Sequence, residues 1–203
     1  GYTQGDILET ARALTGYNHW DEYGDTIYFD NSTFDNGEKT IFGQTGEWGY
    51  NDVIDILFQE KENEIAHFIC EKLYRYFVSP SVDQIIEETI IQPLAATLIA
   101  NNFEIIPMLR QLFKSDHFFD ERALGVIIKS PYDIILDFIK ETEFFYDDAL
   151  ADGLVYYTSL LGQELYDPPD VSGWQRDEAW IDSSTLTGRW QLFELYLAYL
   201  YDN

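Results

Sequence analysis

Cysteine occurs only once in the 203 residues, so no disulfide can form within the chain and nothing marks an oxidising compartment. Cys70 stands in the apolar run Ile65-Ala66-His67-Phe68-Ile69-Cys70 and reads as a buried structural thiol. Positive charge is also scarce: 12 Lys and Arg face 37 Asp and Glu, for a formal net charge of −25. A chain without basic patches cannot neutralise phosphates, which excludes nucleic-acid binding, and an anionic membrane surface would repel it. No run of roughly 18 apolar residues is present, so no membrane span is expected. The three histidines, His19, His67 and His117, never fall three or four residues apart, and no His/Cys cluster exists. No metal site and no cofactor is therefore expected. A nucleophile elbow is missing too, since Ser172 in Val171-Ser172-Gly173-Trp174 follows Asp170 and not a strand.

Apolar residues make up 46% of the chain, enough for a real core despite the charge. Thr3-Gln4-Gly5-Asp6 resembles a capping box with Asp in the Glu position, and Gly16 suits the stop of the helix it opens. Residues 17–50 are rich in acids, glycine and aromatics and show no helical period. Within them, Thr26-Ile27-Tyr28-Phe29 and Thr40-Ile41-Phe42 alternate as strands that could form a small hairpin around Asp35-Asn36-Gly37. From Asn51 the period is helical: Val53, Ile54, Leu57 and Phe58, then Ile65 to Phe77, ended by Ser79-Pro80. Ser81-Val82-Asp83-Gln84 reads as the cap of a third run, which Pro93 should kink or split. Further helices are expected over Ile105–Lys114, after the cap Ser130-Pro131-Tyr132-Asp133, over Asp147–Gly162, and from about Ser183 to Tyr201. The last is read with Leu186, Trp190, Phe193, Leu197 and Leu200 on one face. The fold expected is a single compact all-α domain over residues 1–203, a bundle of about seven to eight helices with long irregular loops and a minor β-hairpin. The start at Gly1, without Met, reads as the edge of a piece of a longer protein.

Abundant carboxylates make any single pair uninformative, because some two will always stand at a glycosidase separation. Asp30, Asp35 and Glu38 offer oxygens for calcium, but Phe34 falls where an EF-hand ligand belongs, so a solvated acidic loop is the plainer reading. Fifteen Tyr and five Trp stand beside those acids. Exposed aromatic faces stack on sugar rings and acids bond their hydroxyls, which makes carbohydrate a candidate ligand; Trp20, Trp48 and Trp174, all in irregular segments, are the positions to watch. The scarce cations Arg12, Lys39, Lys129 and Arg189 are each expected to pair with a carboxylate close to one of the irregular segments, 17–50 and 163–182.

A set of motifs running in order along nearly the whole chain carries a family resemblance. They are Tyr2-Thr3 with Asp6, Ala11-Arg12-Ala13-Leu14-Thr15-Gly16, Asp35-Asn36-Gly37-Glu38-Lys39-Thr40 with Gly43, and Lys72-Leu73 with Phe77-Val78. Lys129-Ser130-Pro131 follows, then Leu161-Gly162-Gln163, Pro168-Pro169, Val171, Gly173-Trp174, Trp180-Ile181 and Arg189. Together they resemble the large bacterial family called "domain of unknown function 1800". Two departures stand out: Tyr17 where the family usually has Trp, and Phe34 where members often carry His. Any base or ligand which that His supplied is missing from this chain.

The resemblance implies that this chain is the C-terminal half of longer proteins, many of them exported, which places it in the periplasm, the cell envelope or outside the cell. It also implies a sulfatase- or phosphatase-like partner encoded nearby. By the same motifs Arg12, Asp35, Lys39, Lys129, Trp174, Trp180 and Arg189 are the candidate binding residues. No catalytic residue is assigned. The expected function is a non-catalytic helical binding or interaction module whose two irregular segments converge on its ligand. The alternative is a hydrolase acting on a polysaccharide or ester through carboxylates of those segments.

Overall fold

The structure, a computed structural model, describes residues 1–18, 27–143, 147–174 and 176–202. Its contacts gather into two compact units, residues 1–73 with 83–114 and residues 74–82 with 115–203.

The first unit opens with α1 (Gln4–Ala13), whose N-cap is the expected capping box. Thr3 Oγ1 accepts from the Asp6 amide at 3.1 Å, and the Asp6 carboxylate accepts from the Thr3 amide at 2.7 Å. Gly16, at φ 91°, ends the turn that follows. Two short antiparallel ribbons come next, β1 (Tyr17–Asn18) with β2 (Tyr28–Phe29) and β3 (Lys39–Ile41) with β4 (Gln44–Gly46). The hairpin expected around Asp35-Asn36-Gly37 is thus replaced: β3 turns back at Phe42-Gly43, both at positive φ, and pairs Ile41 with Gln44. The physical reason is that Asp35 and Gly37 are committed to holding cations and cannot close a strand turn. Ile41, Ala13, Val53 and Ile56 form the core between α1, β3 and α2 (Tyr50–Glu60), with Phe42, Trp48 and Leu57 packed against it.

Helix α3 (Glu62–Phe77) buries Ala66 and Cys70, and burial pushes the Cys70 thiol up to about 11. The third run is capped by Asp83, whose carboxylate accepts from the Ile86 amide at 2.8 Å, rather than by Ser81. It splits as Pro93 demands. A first turn, α4 (Gln84–Ile86), passes through a π-helical turn (Glu87–Ile91) into α5 (Gln92–Ala100), which carries Pro93 in its first turn. The wider turn relieves the clash of the proline ring with the preceding turn's carbonyl without ending the helix. Leu94 and Leu98 of α5 and Met108 and Leu112 of α6 (Ile105–Phe113) are buried.

In the second unit, α7 (Pro131–Thr142), α8 (Asp148–Leu160) and α9 (Ser183–Asp202) share a core of Ile135, Leu154, Leu161, Leu192 and Tyr196, with Phe138 stacked on Tyr196 at 4.7 Å. Ser130 closes a capping box with Asp133 at the start of α7, as its spacing predicts. The buried face of α9 is the row Arg189, Leu192 and Tyr196. Leu186, Trp190 and Leu197 face solvent, with Trp190 68% exposed, while the Phe193 ring packs edge-on against Phe138 of α7 at 6.0 Å.

Candidate functional site

Local rules place Arg12 in the last turn of α1, where a cation suits the negative helix end. Its guanidinium spans the 35–38 loop. Nε and Nη2 donate to the two Asp35 oxygens at 2.7 and 3.2 Å, and Nη1 donates to Glu9 Oε2 at 2.6 Å and the Glu38 carbonyl at 3.2 Å. This fork, with a further bond from the Gly37 amide at 2.9 Å, holds the Asp35 carboxyl down at about 2. Thr15 Oγ1, which donates to the Arg12 carbonyl, accepts from the Asp35 amide at 2.9 Å. Gly37 has to be glycine here, because a Cβ would stand 2.8 Å from Arg12 Nη2 and 3.0 Å from Asp35 Oδ1.

Lys39, only 1% exposed, points into the same loop from β3. Its ammonium donates to the carbonyls of Asp35 at 2.5 Å and Gly37 at 2.9 Å and lies 5.0 Å from the centre of the Phe34 ring. The expected carboxylate partner for Lys39 is replaced by backbone oxygens, since a loop wrapped tightly on a buried ammonium turns its carbonyls inward. Asp6 adds a tie, accepting from the Phe42 amide at 2.7 Å and so joining α1 to the β3–β4 turn. Beside this clasp lies an open depression lined by Thr3, Gly5, Asp6, Glu9, Glu38, Thr40 and Thr45.

The second unit has its own clasp. Arg189, buried on α9, donates from Nη1 to the Lys129 carbonyl at 3.0 Å and from Nη2 to the Trp180 carbonyl at 3.5 Å, while its Nε finds no acceptor among the described residues. Burial without a carboxylate lowers its pKa. Asp177, in a 3₁₀ turn (Asp177–Trp180) that buries Trp180, accepts from the Ile128 amide at 3.0 Å. Residues 128–129 are thus held to residues 177–180 from both sides. Gln163 bonds the Tyr132 amide at 3.0 Å, and the Lys129 side chain leaves the clasp to pair with Asp137 at 2.6 Å. The box around Val171 is a turn in which Asp170 accepts from the Ser172 amide at 2.7 Å and Gly173 takes φ 88°. Trp174 follows it, half-buried, with a buried indole N–H that finds no acceptor among the described residues.

Arg12, Asp35 and Lys39 therefore form one cluster, and Lys129, Trp180 and Arg189 are brought together in another. Trp48 folds back over Gly46 with its indole N–H on the Gln44 carbonyl at 3.1 Å, while His19 and Trp20 lie outside the described residues. Among the described residues no three His, Cys, Asp or Glu side chains stand close enough to hold a metal ion. Sequence reasoning gave no role to Thr15, although it stands in the Ala11–Gly16 motif, and missed Asp177, one acid among many with no local pattern to single it out. The carboxyls of Asp6, Asp35, Glu64, Asp120, Asp170 and Asp182 are all pulled down by hydrogen bonds, the opposite of what a general acid at neutral pH needs.

Neither a curated protein nor a solved structure matches the chain. The family described as Protein of unknown function (DUF1800) matches residues 1–200, and with its motif residues forming these two clasps the chain belongs to that family.

Proposed function

We propose that this chain is a non-catalytic helical binding and interaction module of an exported bacterial protein. The observation that carries this reading is the exposed apolar row of α9, Leu186, Trp190 and Leu197, which lies along one face of a 20-residue helix. Aromatic and aliphatic side chains spaced along one helix face are the usual anchors of a helix-mediated interface. The motif cations support it from the other side: Arg12, Lys39 and Arg189 spend their donors on holding loops, which suits a scaffold more than a reaction centre. Export and a sulfatase- or phosphatase-like partner encoded nearby rest on the family resemblance.

The test is co-purification of the chain with that neighbouring protein. A complex is expected that Trp190→Asp with Leu197→Asp abolishes while the chain stays folded. Unchanged co-elution of the double variant would remove α9 as the interface. The second reading, a hydrolase on a polysaccharide or ester, is favoured by the depression where Asp6, Glu9 and Glu38 stand together. Release of reducing ends or of an ester alcohol, lost in Glu9→Gln, would replace the first reading with this one.

A further inference from the structure

Apart from both clasps, the first unit holds a preformed aromatic cleft of about 220 Å³, lined by Tyr17, Phe29, Phe34, Tyr50 and the first turn of α2. Its construction is specific. Pairing in the β1–β2 ribbon sets Tyr17 opposite Phe29, and their rings meet edge to face at 5.2 Å. The Phe29 ring lies down over Gly16, where a Cβ would come within 2.6 Å of it, and tilts against Phe34 at 5.3 Å. Tyr50 completes the wall, edge-on to Tyr17 at 5.8 Å. Tyr17, Phe29 and Tyr50 each leave about half their surface to solvent, so the rings make an open platform. At its rim stand Asn51 and Asp52, both exposed, the latter accepting from the Gly49 amide at 2.9 Å.

We propose that this cleft is a binding subsite for one ring of a neutral saccharide. Three features select that class. Aromatic faces offer a stacking surface for the apolar face of a flat ring, and the volume suits a single ring. The rim places donors and acceptors side by side: the Asn51 amide, the Asp52 carboxylate, and first-turn N–H groups of α2 that no carbonyl of their own helix can reach. Hydroxyls need both kinds of partner, whereas a cation needs acceptors alone and would face the positive end of α2. An anion would meet Asp52 within a chain of net charge −25.

Calorimetric titration of the whole chain tests the assignment, with neutral gluco-, xylo-, galacto- and N-acetylglucosamine oligosaccharides, a sulfated oligosaccharide and tetramethylammonium as probes. A neutral oligosaccharide should bind, and Tyr17→Ala or Tyr50→Ala should each weaken it about tenfold. Asn51→Ala should weaken it less, while Tyr28→Ala and Tyr166→Ala, exposed aromatics outside the cleft, should leave it unchanged. Unfolding temperatures of the variants must match the wild type for the comparison to count, and Tyr50→Leu, which keeps an apolar side chain there, is the second variant should Tyr50→Ala fold poorly. Binding of none of the neutral sugars, or binding indifferent to Tyr17 and Tyr50, overturns the proposal. So does preferential binding of the sulfated sugar or the ammonium ion. None of these results touches the α9 interface, whose own test is the co-purification above.

Discussion

In the first unit the loop-clasping guanidinium, Arg12, meets two carboxylates at a half-exposed position; in the second, Arg189 is buried and meets two backbone carbonyls. Both join a helix to an irregular segment, yet their energetics differ in kind. Arg12 and Asp35 keep their charges paired and partly hydrated, so their attraction is open to screening by salt. Arg189 carries its charge into a low-dielectric site where only carbonyl dipoles answer it, so packing of its long stem and the needs of the carbonyls must offset desolvation. A guanidinium can thus order a loop either by charge or by geometry.

The largest effect is expected at Arg189. Arg189→Ala should cost about 2–4 kcal/mol in urea denaturation, from lost packing and stranded carbonyls of Lys129 and Trp180. Arg189→Met should recover at least half of that, because the stem returns and the poorly compensated charge is gone. If Met is no better than Ala, the carbonyl bonds outweigh desolvation and the contrast with Arg12 narrows.

Steric tolerance separates the units next. Gly37→Ala drives a Cβ against Arg12 and Asp35 and should cost about 1–3 kcal/mol. Gly188→Ala meets the end of the buried Leu161 side chain at 3.0 Å, a smaller overlap, and gains helix propensity inside α9, so its cost should be well below that of Gly37→Ala in the same assay. Equal costs would mean that the second clasp is as tightly built as the first.

The helix caps should show no contrast. Thr3→Ala and Ser130→Ala each remove a side-chain bond to an N3 amide within a capping box and should each lose about 1 kcal/mol.

The smallest effect is the most specific to the first unit. Asp35 ordinarily titrates near 3.8 and is held at about 2, so the folded state binds fewer protons than the unfolded state between those values. The stability it contributes is complete above 3.8 and disappears as the pH falls towards 2. Carboxyl-carbon NMR should follow that low midpoint in the wild type, and Arg12→Met should move it back up towards the ordinary value. High salt should shift it in the same direction. A midpoint that ignores Arg12 would show that the Gly37 amide alone holds the carboxylate.

Much of the local structure was legible without coordinates. Thr3 with Asp6, and Ser130 with Asp133, declare their helices because a capping box is a local exchange of bonds between residues three apart. Pro93 announced its own break, because its ring conflicts with one backbone carbonyl a turn away, and only the remedy, a π-turn, had to be seen. The aromatics singled out in the sequence are not the ones that cluster half-exposed: Trp48 is folded onto Gly46, whereas Tyr17, Phe29 and Tyr50 meet with about half their surface open. The apolar residues of α9 fall on both sides, and periodicity cannot say which row a neighbouring helix will cover.

The sequence by itself determined the helices, their caps and stops, the acidic surface and the family, because each depends on composition or on residues a few positions apart. Only the tertiary structure decided that Asp35-Asn36-Gly37 wraps cations instead of turning a hairpin, that Lys39 and Arg189 rest on carbonyls, and that four separate aromatics share one cleft. Those outcomes hang on contacts between segments distant in sequence, where the cost of burying a charge or an unpaired backbone group is settled by whichever neighbour the fold brings within reach.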